Sequence, residues 1–173
     1  MISLLFLTLA LISCSAPHYL TAAILIHELG HIGAAYFAKW ERPRPKMNLT
    51  GLRLSFVQVH SPISTLAVCM AGSLLGILTF FIPLLPEKLR FYSLGLALIN
   101  LLPISVLDGG GALLCLLECI MLPDRAYGIA KWISVIFAVL FCLFSVAVQL
   151  KIGINPTLLA VSVYITVSSL GKQ

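Results

Sequence analysis

Two histidines and a glutamate lie close together in an apolar part of the sequence. They form the run His27-Glu28-Leu29-Gly30-His31, inside the apolar stretch from Ala22 to Ala38. On a helix, a four-residue spacing places both imidazoles on one face, about 6 Å apart along the axis, where both can bind one tetrahedral zinc ion. Glu28 lies about 100° round the helix, beside a zinc-bound water. This pattern indicates hydrolysis: zinc acidifies the water, and Glu28 takes its proton and passes it to the leaving amine.

A third protein ligand is needed, because two histidines leave a catalytic zinc one ligand short. Asp108 is the only other carboxylate deep in an apolar segment of the sequence. With neutral imidazoles, ionised Glu28 and Asp108 balance the charge of Zn²⁺, which makes a buried cluster tolerable. The alternative is that Asp108 caps a helix that restarts before Gly109, and this does not exclude ligation. We predict one zinc per chain, held by His27, His31 and Asp108.

The chain around Asp108 is predicted to be irregular. Asn100-Leu101-Leu102-Pro103 precedes it and Gly109-Gly110-Gly111 follows it. Proline and consecutive glycines oppose a continuous helix. Irregular backbone at membrane depth occurs only where it is buried or lines a cavity. A broken segment beside a metal supplies the cleft that an active site needs.

The composition indicates that these residues lie in a membrane. Of the 173 residues, 60% are hydrophobic and 10% are charged, whereas globular domains are about 45–50% apolar and about 25% charged. The charge-free runs 62–86, 132–150 and 152–171 approach or exceed the ~20 residues that a helix needs to cross a bilayer. A soluble domain, disorder and a coiled coil are therefore excluded. We assign the formal net charge of +5 to cytoplasmic loops and expect no nucleic-acid partner.

Hydrophobic segments organise the whole chain. They are placed at about 1–15, 18–39, 62–86, 89–122, 126–150 and 152–171. We predict an all-α polytopic membrane protein with about six transmembrane helices, in one domain covering 1–173. The first segment is short for a crossing, so it is a partial span, the bilayer thins around it, or the chain starts upstream.

The basic residues predict the orientation of these segments. With a cytoplasmic N-terminus, most of the 11 Lys and Arg residues fall in inside loops. Positive charge favours cytoplasmic loops, so we expect the N-terminus to be cytoplasmic. The inside residues are Lys39, Arg42, Arg44, Lys46, Arg53, Arg125, Lys131 and Lys172, and the outside residues are Lys88, Arg90 and Lys151.

One long connection, at about 40–61, carries strand patterning. After a turn signal at Asn48-Leu49-Thr50-Gly51, apolar and polar residues alternate from Leu52 to Phe56. A period of two residues is typical of a strand. We predict a small membrane-associated β-hairpin at the cytoplasmic face.

The sequence resembles the site-2 protease family of intramembrane zinc metalloproteases. Two motifs of that family are present in the expected order, His-Glu-Leu-Gly-His at 27–31 and Asn-x-x-Pro-x-x-x-Leu-Asp-Gly at 100–109. Six spans with the first motif in the second are similar to the compact sporulation-type branch. Val106 departs from the pattern, because many relatives have proline there. This puts the shape of the loop in doubt and leaves ligation by Asp108 untouched.

The resemblance implies a function and residue roles. It implies a zinc endopeptidase that cleaves a membrane-tethered protein within or near its transmembrane segment, in the cytoplasmic membrane of a prokaryote. It implies zinc ligation by His27, His31 and Asp108, acid–base catalysis by Glu28, and a cleft-lining, substrate-binding role for Asn100. The expected partners are that substrate, the lipid bilayer and a regulatory membrane protein.

Two other functions fit the same residues less well. An inactive relative would bind membrane helices as a chaperone or scaffold, but a binding-only protein has no need of Glu28. A metal transporter would use His27, His31 and Asp108 as a transit site, but the sequence has no second group of polar residues along a transport pathway.

The segment 71–76, Ala-Gly-Ser-Leu-Leu-Gly, has two interpretations. It resembles a glycine-containing motif that the family carries between the other two. Gly72 and Gly76 equally form a GxxxG face for helix packing.

Glu118 with Cys115 and Cys119 also has two interpretations. The three residues are a second metal site, or Glu118 lies at a helix end near Pro123 and reaches the membrane interface, which we favour. All five cysteines lie in apolar segments, so we interpret them as small hydrophobic residues rather than a disulfide framework.

Overall fold

Helices account for most of the described chain. The structure, a computed structural model, describes residues 17–38, 44–48, 51–55, 61–152 and 156–170. The predicted first segment, 1–15, lies outside these residues. The elements in order are α1 (Pro17–Phe37), β1 (Arg44–Asn48), β2 (Gly51–Ser55), α2 (Pro62–Phe80), α3 (Glu87–Asn100), α4 (Asp108–Glu118), α5 (Pro123–Ile152) and α6 (Pro156–Leu170).

Proline marks the start of several helices. The helices α1, α2, α5 and α6 each begin at a proline, whose missing N–H is not needed in a first turn and whose fixed φ suits a helix. At α2, the Ser61 hydroxyl also accepts a hydrogen bond from the Ser64 amide at 3.3 Å. Local sequence chemistry therefore sets these boundaries.

Three of the described helices are long and apolar enough to cross a membrane. They are α1, α2 and the stretch Pro123–Leu150 of α5. Large apolar side chains on α5 point outward, among them Trp132 at 72% exposure and Phe144 at 63%. A bilayer covers such a surface, whereas water does not tolerate it at this extent. The protein therefore belongs in a membrane, while the count of six spans and the direction of the N-terminus stay predictions.

The interior of the bundle is built from small and hydroxyl-bearing residues. Ser73, Ser93 and Ser134 are each at most 2% exposed. A Cβ on Gly76 would lie 3.0 Å from the carbonyl oxygen of Ser93 and 3.1 Å from the Cβ of Ala97. Lipid gives no hydrophobic force between helices, so close backbone approach at small residues is what joins them. This fixes α2 against α3.

Helix α2 lies at the centre of the first half of the fold. It packs against α1, α3 and α4, while α1 also packs against α3. Helix α4 then contacts α5, which packs on α6. Ala23, Ile24, Leu89 and Leu96 form one apolar cluster, and Ile104, Ala138, Val161 and Ile165 form another. The first motif on α1 and the second at the start of α4 are thus both next to α2.

The hydrophobic segment 89–122 is two helices rather than one. Helix α3 ends at Asn100 and α4 begins at Asp108, as Pro103 and the glycines predict. The loop between them is ordered by short hydrogen bonds: the Ile104 amide donates to Leu102 at 2.7 Å, and the Leu107 amide donates to Ile104 at 2.8 Å. Ile104 is fully buried. The break places Asp108 at the start of a short helix.

The two strands lie within the predicted connection 40–61. They pair antiparallel, from Arg44 opposite Ser55 to Asn48 opposite Gly51. The association of this pair with the membrane surface stays a prediction.

We expect Gly76→Val to destabilise the fold, because the larger side chain has to separate α2 from α3. Overpacking of this kind costs about 1–3 kcal/mol in the free energy of unfolding. Gly95→Val on α3 is the matched control, since a Cβ there meets nothing within 4 Å. Unfolding in detergent should show a lower Tm for Gly76→Val alone, and equal Tm values would contradict the packing described here.

Candidate metal centre

Three polar side chains from distant parts of the sequence meet inside the bundle. The Oδ2 of Asp108 lies 2.9 Å from Nε2 of His27 and 3.1 Å from Nε2 of His31. The two Nε2 atoms are 3.1 Å apart. His27 is 1% exposed. The structure therefore brings together the three residues that the sequence suggests as ligands.

Helix α1 positions the two histidines. It is continuous from Pro17 to Phe37, so residues four apart lie on the same face. The rings of His27 and His31 have centroids 4.8 Å apart and planes inclined at 79°. Their Nε2 atoms converge more closely than the ring centres do. The helix thus supplies two nitrogen donors directed at one point.

The hydrogen bond of His31 shows which of its ring nitrogens is available to bind a metal. Its Nδ1 lies 2.7 Å from the carbonyl oxygen of Val68 on α2, and that oxygen can only accept. Nδ1 therefore carries the proton, and Nε2 of the neutral ring presents a lone pair. Metal-binding histidines are commonly oriented by this kind of bond. Val68 thus fixes the ring and its tautomer.

The donor set fits a divalent cation such as zinc. Two imidazole nitrogens and a carboxylate oxygen are the types of ligand atom that zinc takes in proteins. Ligands at about 2.0–2.1 Å from a tetrahedral zinc are about 3.3–3.4 Å apart. The ligand atoms here are 2.9 to 3.1 Å apart. Among the described residues, these three form the group of His, Cys, Asp and Glu that can hold a metal.

The two histidines are held in different ways. Nδ1 of His27 is buried and has no hydrogen-bond partner within the described ranges. Its ring is therefore positioned by packing, whereas that of His31 is positioned by Val68.

Two glycines let α1 and α2 approach closely with the imidazole of His31 between them. A Cβ on Gly30 would lie 2.7 Å from the carbonyl oxygen of Ala71, and a Cβ on Gly72 would overlap Nε2 of His31. Only glycine at these positions lets the backbones approach with the ring between them. Gly72 therefore packs against the candidate site, and Gly76 packs against α3. The GxxxG interpretation is thus incomplete, because its two glycines contact different helices.

The start of α4 holds Asp108. Side chains at Gly109 and Gly110 would overlap the backbone of Leu101 and Ile104, so the glycines let the first turn lie directly on the preceding loop. The same loop is bound to α5, because the Ser105 amide donates to the hydroxyl of Ser134 at 2.7 Å. The glycine contacts that follow Asp108 and the bond of the preceding loop to Ser134 together fix its position.

Glu28 is half-buried on α1. It lies within electrostatic range of His31, and it makes no hydrogen bond with the part of the chain that the structure describes. Its carboxylate is therefore beside the cluster without belonging to it. Its role as a general base stays a prediction.

Asn100 ends α3 and is 2% exposed. Its Nδ2 donates to the carbonyl oxygen of Leu96 at 3.0 Å, which lies in its own helix. Its cleft-lining role stays a prediction. Glu118, Cys115 and Cys119 do not form a metal-holding group among the described residues.

Two features of the site, the Val68 carbonyl and the Ser134 hydroxyl, have no motif in the sequence. Gly72 lies in the glycine-containing segment 71–76, but the sequence does not predict its contact with His31. A backbone carbonyl has no sequence signal at all. Ser134 is a polar residue in an apolar run, which is a signal, but several other serines in the chain share it.

No protein-family model matches the chain. The chain is similar to Stage IV sporulation protein FB of Bacillus subtilis (strain 168), with 34% identity over 159 residues. The similar region covers 82% of this chain and 54% of that protein. The chain therefore spans about half the length of the curated relative that it matches.

We expect Gly72→Ala to weaken metal binding, because the new methyl group displaces the imidazole of His31. Loss of ligand orientation typically lowers metal affinity about 10–100-fold. Gly33→Ala on α1 is the control, since a Cβ there meets nothing within 4 Å. Zinc content and competition with a chelator measure the effect, and equal affinities in the two variants would contradict it.

We expect Ser134→Ala to loosen Asp108, because the Ser105 amide loses its acceptor. The predicted result is a zinc affinity about tenfold lower with α5 still helical. Ser145→Ala is the matched control on the same helix, where the buried hydroxyl bonds only to Phe141 of α5. If chelator competition gives the same affinity for both variants, Ser134 does not position the ligand.

Proposed function

We propose that the chain is an intramembrane zinc endopeptidase of the site-2 protease type. It hydrolyses a peptide bond of a membrane-tethered protein within or near its transmembrane segment. The convergence of His27, His31 and Asp108 between apolar helices, with Glu28 alongside, carries the proposal. The relative is named for sporulation, which agrees with the sporulation-type branch that the two motifs resemble.

The depth of the cluster supports cleavage inside the membrane. His31 lies six residues before the end of α1 at Phe37, which is about 9 Å along the helix. Asp108 lies ten residues before the end of α4 at Glu118, or about 15 Å. The two distances differ by about 6 Å, and both put the cluster more than one helical turn from the helix ends. In the predicted multi-pass orientation, the cluster lies below the cytoplasmic surface.

The residues of the site have different roles in the proposed reaction. A bound zinc ion would lower the pKa of a water ligand to about 7 and polarise the substrate carbonyl. Glu28 would accept a proton from the attacking water and donate it to the leaving amine. Val68 keeps the lone pair of His31 directed inward. The surrounding apolar helices exclude bulk water from the reacting atoms.

The substrate has to unwind before its peptide bond becomes accessible, because a helix buries its backbone in hydrogen bonds. An extended segment can be held by strand addition to the free edge of a sheet. Each strand of the β1–β2 pair has one edge that is unpaired within the described ranges. We propose that this pair holds the unwound segment beside the metal centre.

We expect Glu28→Gln to retain zinc and lose cleavage, because the ligands are intact and the base is absent. General acid–base catalysis contributes about 10²–10⁴ in rate. Glu118→Gln is the control, a carboxylate of the same type outside the metal cluster. Zinc content and cleavage are measured side by side in bilayers, with a panel of single-span reporter proteins.

The outcomes separate the proposal from its alternative. Zinc in all samples, with cleavage lost only in Glu28→Gln, supports the protease. Zinc with tight binding of reporter helices and no cleavage by the wild type favours a chaperone or scaffold. Absence of zinc from the purified wild type overturns the site.

A further inference from the structure

We propose that Cys69 and Cys115 form a dithiol site, which hydroperoxides oxidise to a disulfide joining α2 to α4. The Sγ of Cys69 lies against Gly111 of α4, one helical turn from Cys115, the two thiols are within interaction range of each other, and both are free. They are used neither by the metal cluster nor by Glu28. The site is therefore a target for modification beside the candidate active site.

The packing of α2 on α4 brings the sulfurs together. The Sγ of Cys69 lies 3.1 Å from the place where a Cβ on Gly111 would be. Gly111 and Cys115 are four residues apart in α4 and thus lie on the same face. Because Gly111 has no side chain, the Cys69 thiol can pack on that face. The contact is therefore fixed by two helices rather than by flexible loops.

The two thiols differ in access. Cys115 is 5% exposed, whereas Cys69 is half-buried. An oxidant therefore reaches the pair from the side of Cys69. Cys119 is exposed and Cys142 is partly exposed.

The oxidation is balanced with a hydroperoxide as the oxidant. One sulfur of the pair attacks the peroxide, the O–O bond breaks, and a sulfenic acid and one water (or alcohol) are formed. The other thiol then attacks this sulfur, the S–O bond breaks, and a water leaves. Two thiols lose two electrons and two protons, and the peroxide is reduced.

The disulfide would disturb both supports of the metal cluster. Val68, which orients His31, directly precedes Cys69, and Asp108 begins the helix that carries Cys115. Bonded sulfurs are about 2.05 Å apart, much closer than two thiols in contact. Bond formation therefore draws α2 towards α4, which shifts the Val68 carbonyl that orients His31 and shifts Asp108. We expect about tenfold weaker zinc binding and a similar loss of cleavage, the latter resting on the proposed function.

The test uses purified full-length protein in bilayers, treated with hydrogen peroxide and then denatured. Free thiols are counted by maleimide-polyethylene glycol gel shift, and zinc affinity is measured in parallel by competition with a chelator. The wild type and the Cys142→Ala control should each lose two free thiols and bind zinc about tenfold more weakly, and a dithiol reductant should restore the thiols. Cys69→Ala and Cys115→Ala should form no such disulfide and should keep their zinc affinity.

Each result decides one part of the proposal. Equal thiol loss in Cys69→Ala and wild type overturns the dithiol site. A disulfide with unchanged zinc affinity overturns its effect on the cluster. A disulfide with weaker zinc binding, in a protein that cleaves no reporter before oxidation, supports the dithiol site and counts against the proposed protease alone.

Discussion

The convergence of three polar side chains inside an apolar bundle is the constraint on which the centre of this structure depends. Nε2 of His27, Nε2 of His31 and Oδ2 of Asp108 are directed at one point in surroundings that water does not reach freely. Burying polar groups is costly unless they are held against partners, and the chain has to keep these three in place. The hydrogen bond to Val68, the glycine contacts at both ends and the loop anchored on Ser134 provide this support. The ligands are thus the product of packing between helices rather than of any single helix.

The same packing explains the composition of the bundle. Large apolar residues face outward, and serine, alanine and glycine lie between helices, which is the reverse of a soluble protein. Small residues permit close backbone contact, and the hydroxyls of Ser145 and Ser169 bond to carbonyls of their own helices. A cluster of titratable side chains can therefore sit among helices whose outer surfaces remain compatible with lipid.

The sequence predicted which three residues come together, but not the groups that support them, and metal ligation stays a prediction. The four-residue spacing of His27 and His31 specifies a helix face, and Asp108 is the other carboxylate deep in an apolar segment, so both follow from local sequence. Pro103 and the glycines correctly indicated the break before α4. The role of Val68 could not be predicted, because every residue has a carbonyl and only tertiary packing selects one. The number and direction of the spans depend on long-range arrangement and on residues outside the described ranges, and they stay predictions.

The contact between Gly72 and the imidazole of His31 has an evolutionary consequence. A side chain at position 72 and a ring at position 31 compete for the same space, so the two positions should covary among relatives. A relative that does not need the imidazole of His31 in this position can vary at both positions. A larger residue at position 72 would then indicate a relative that keeps the helix bundle without this arrangement of His31, even where the glutamate at position 28 is retained.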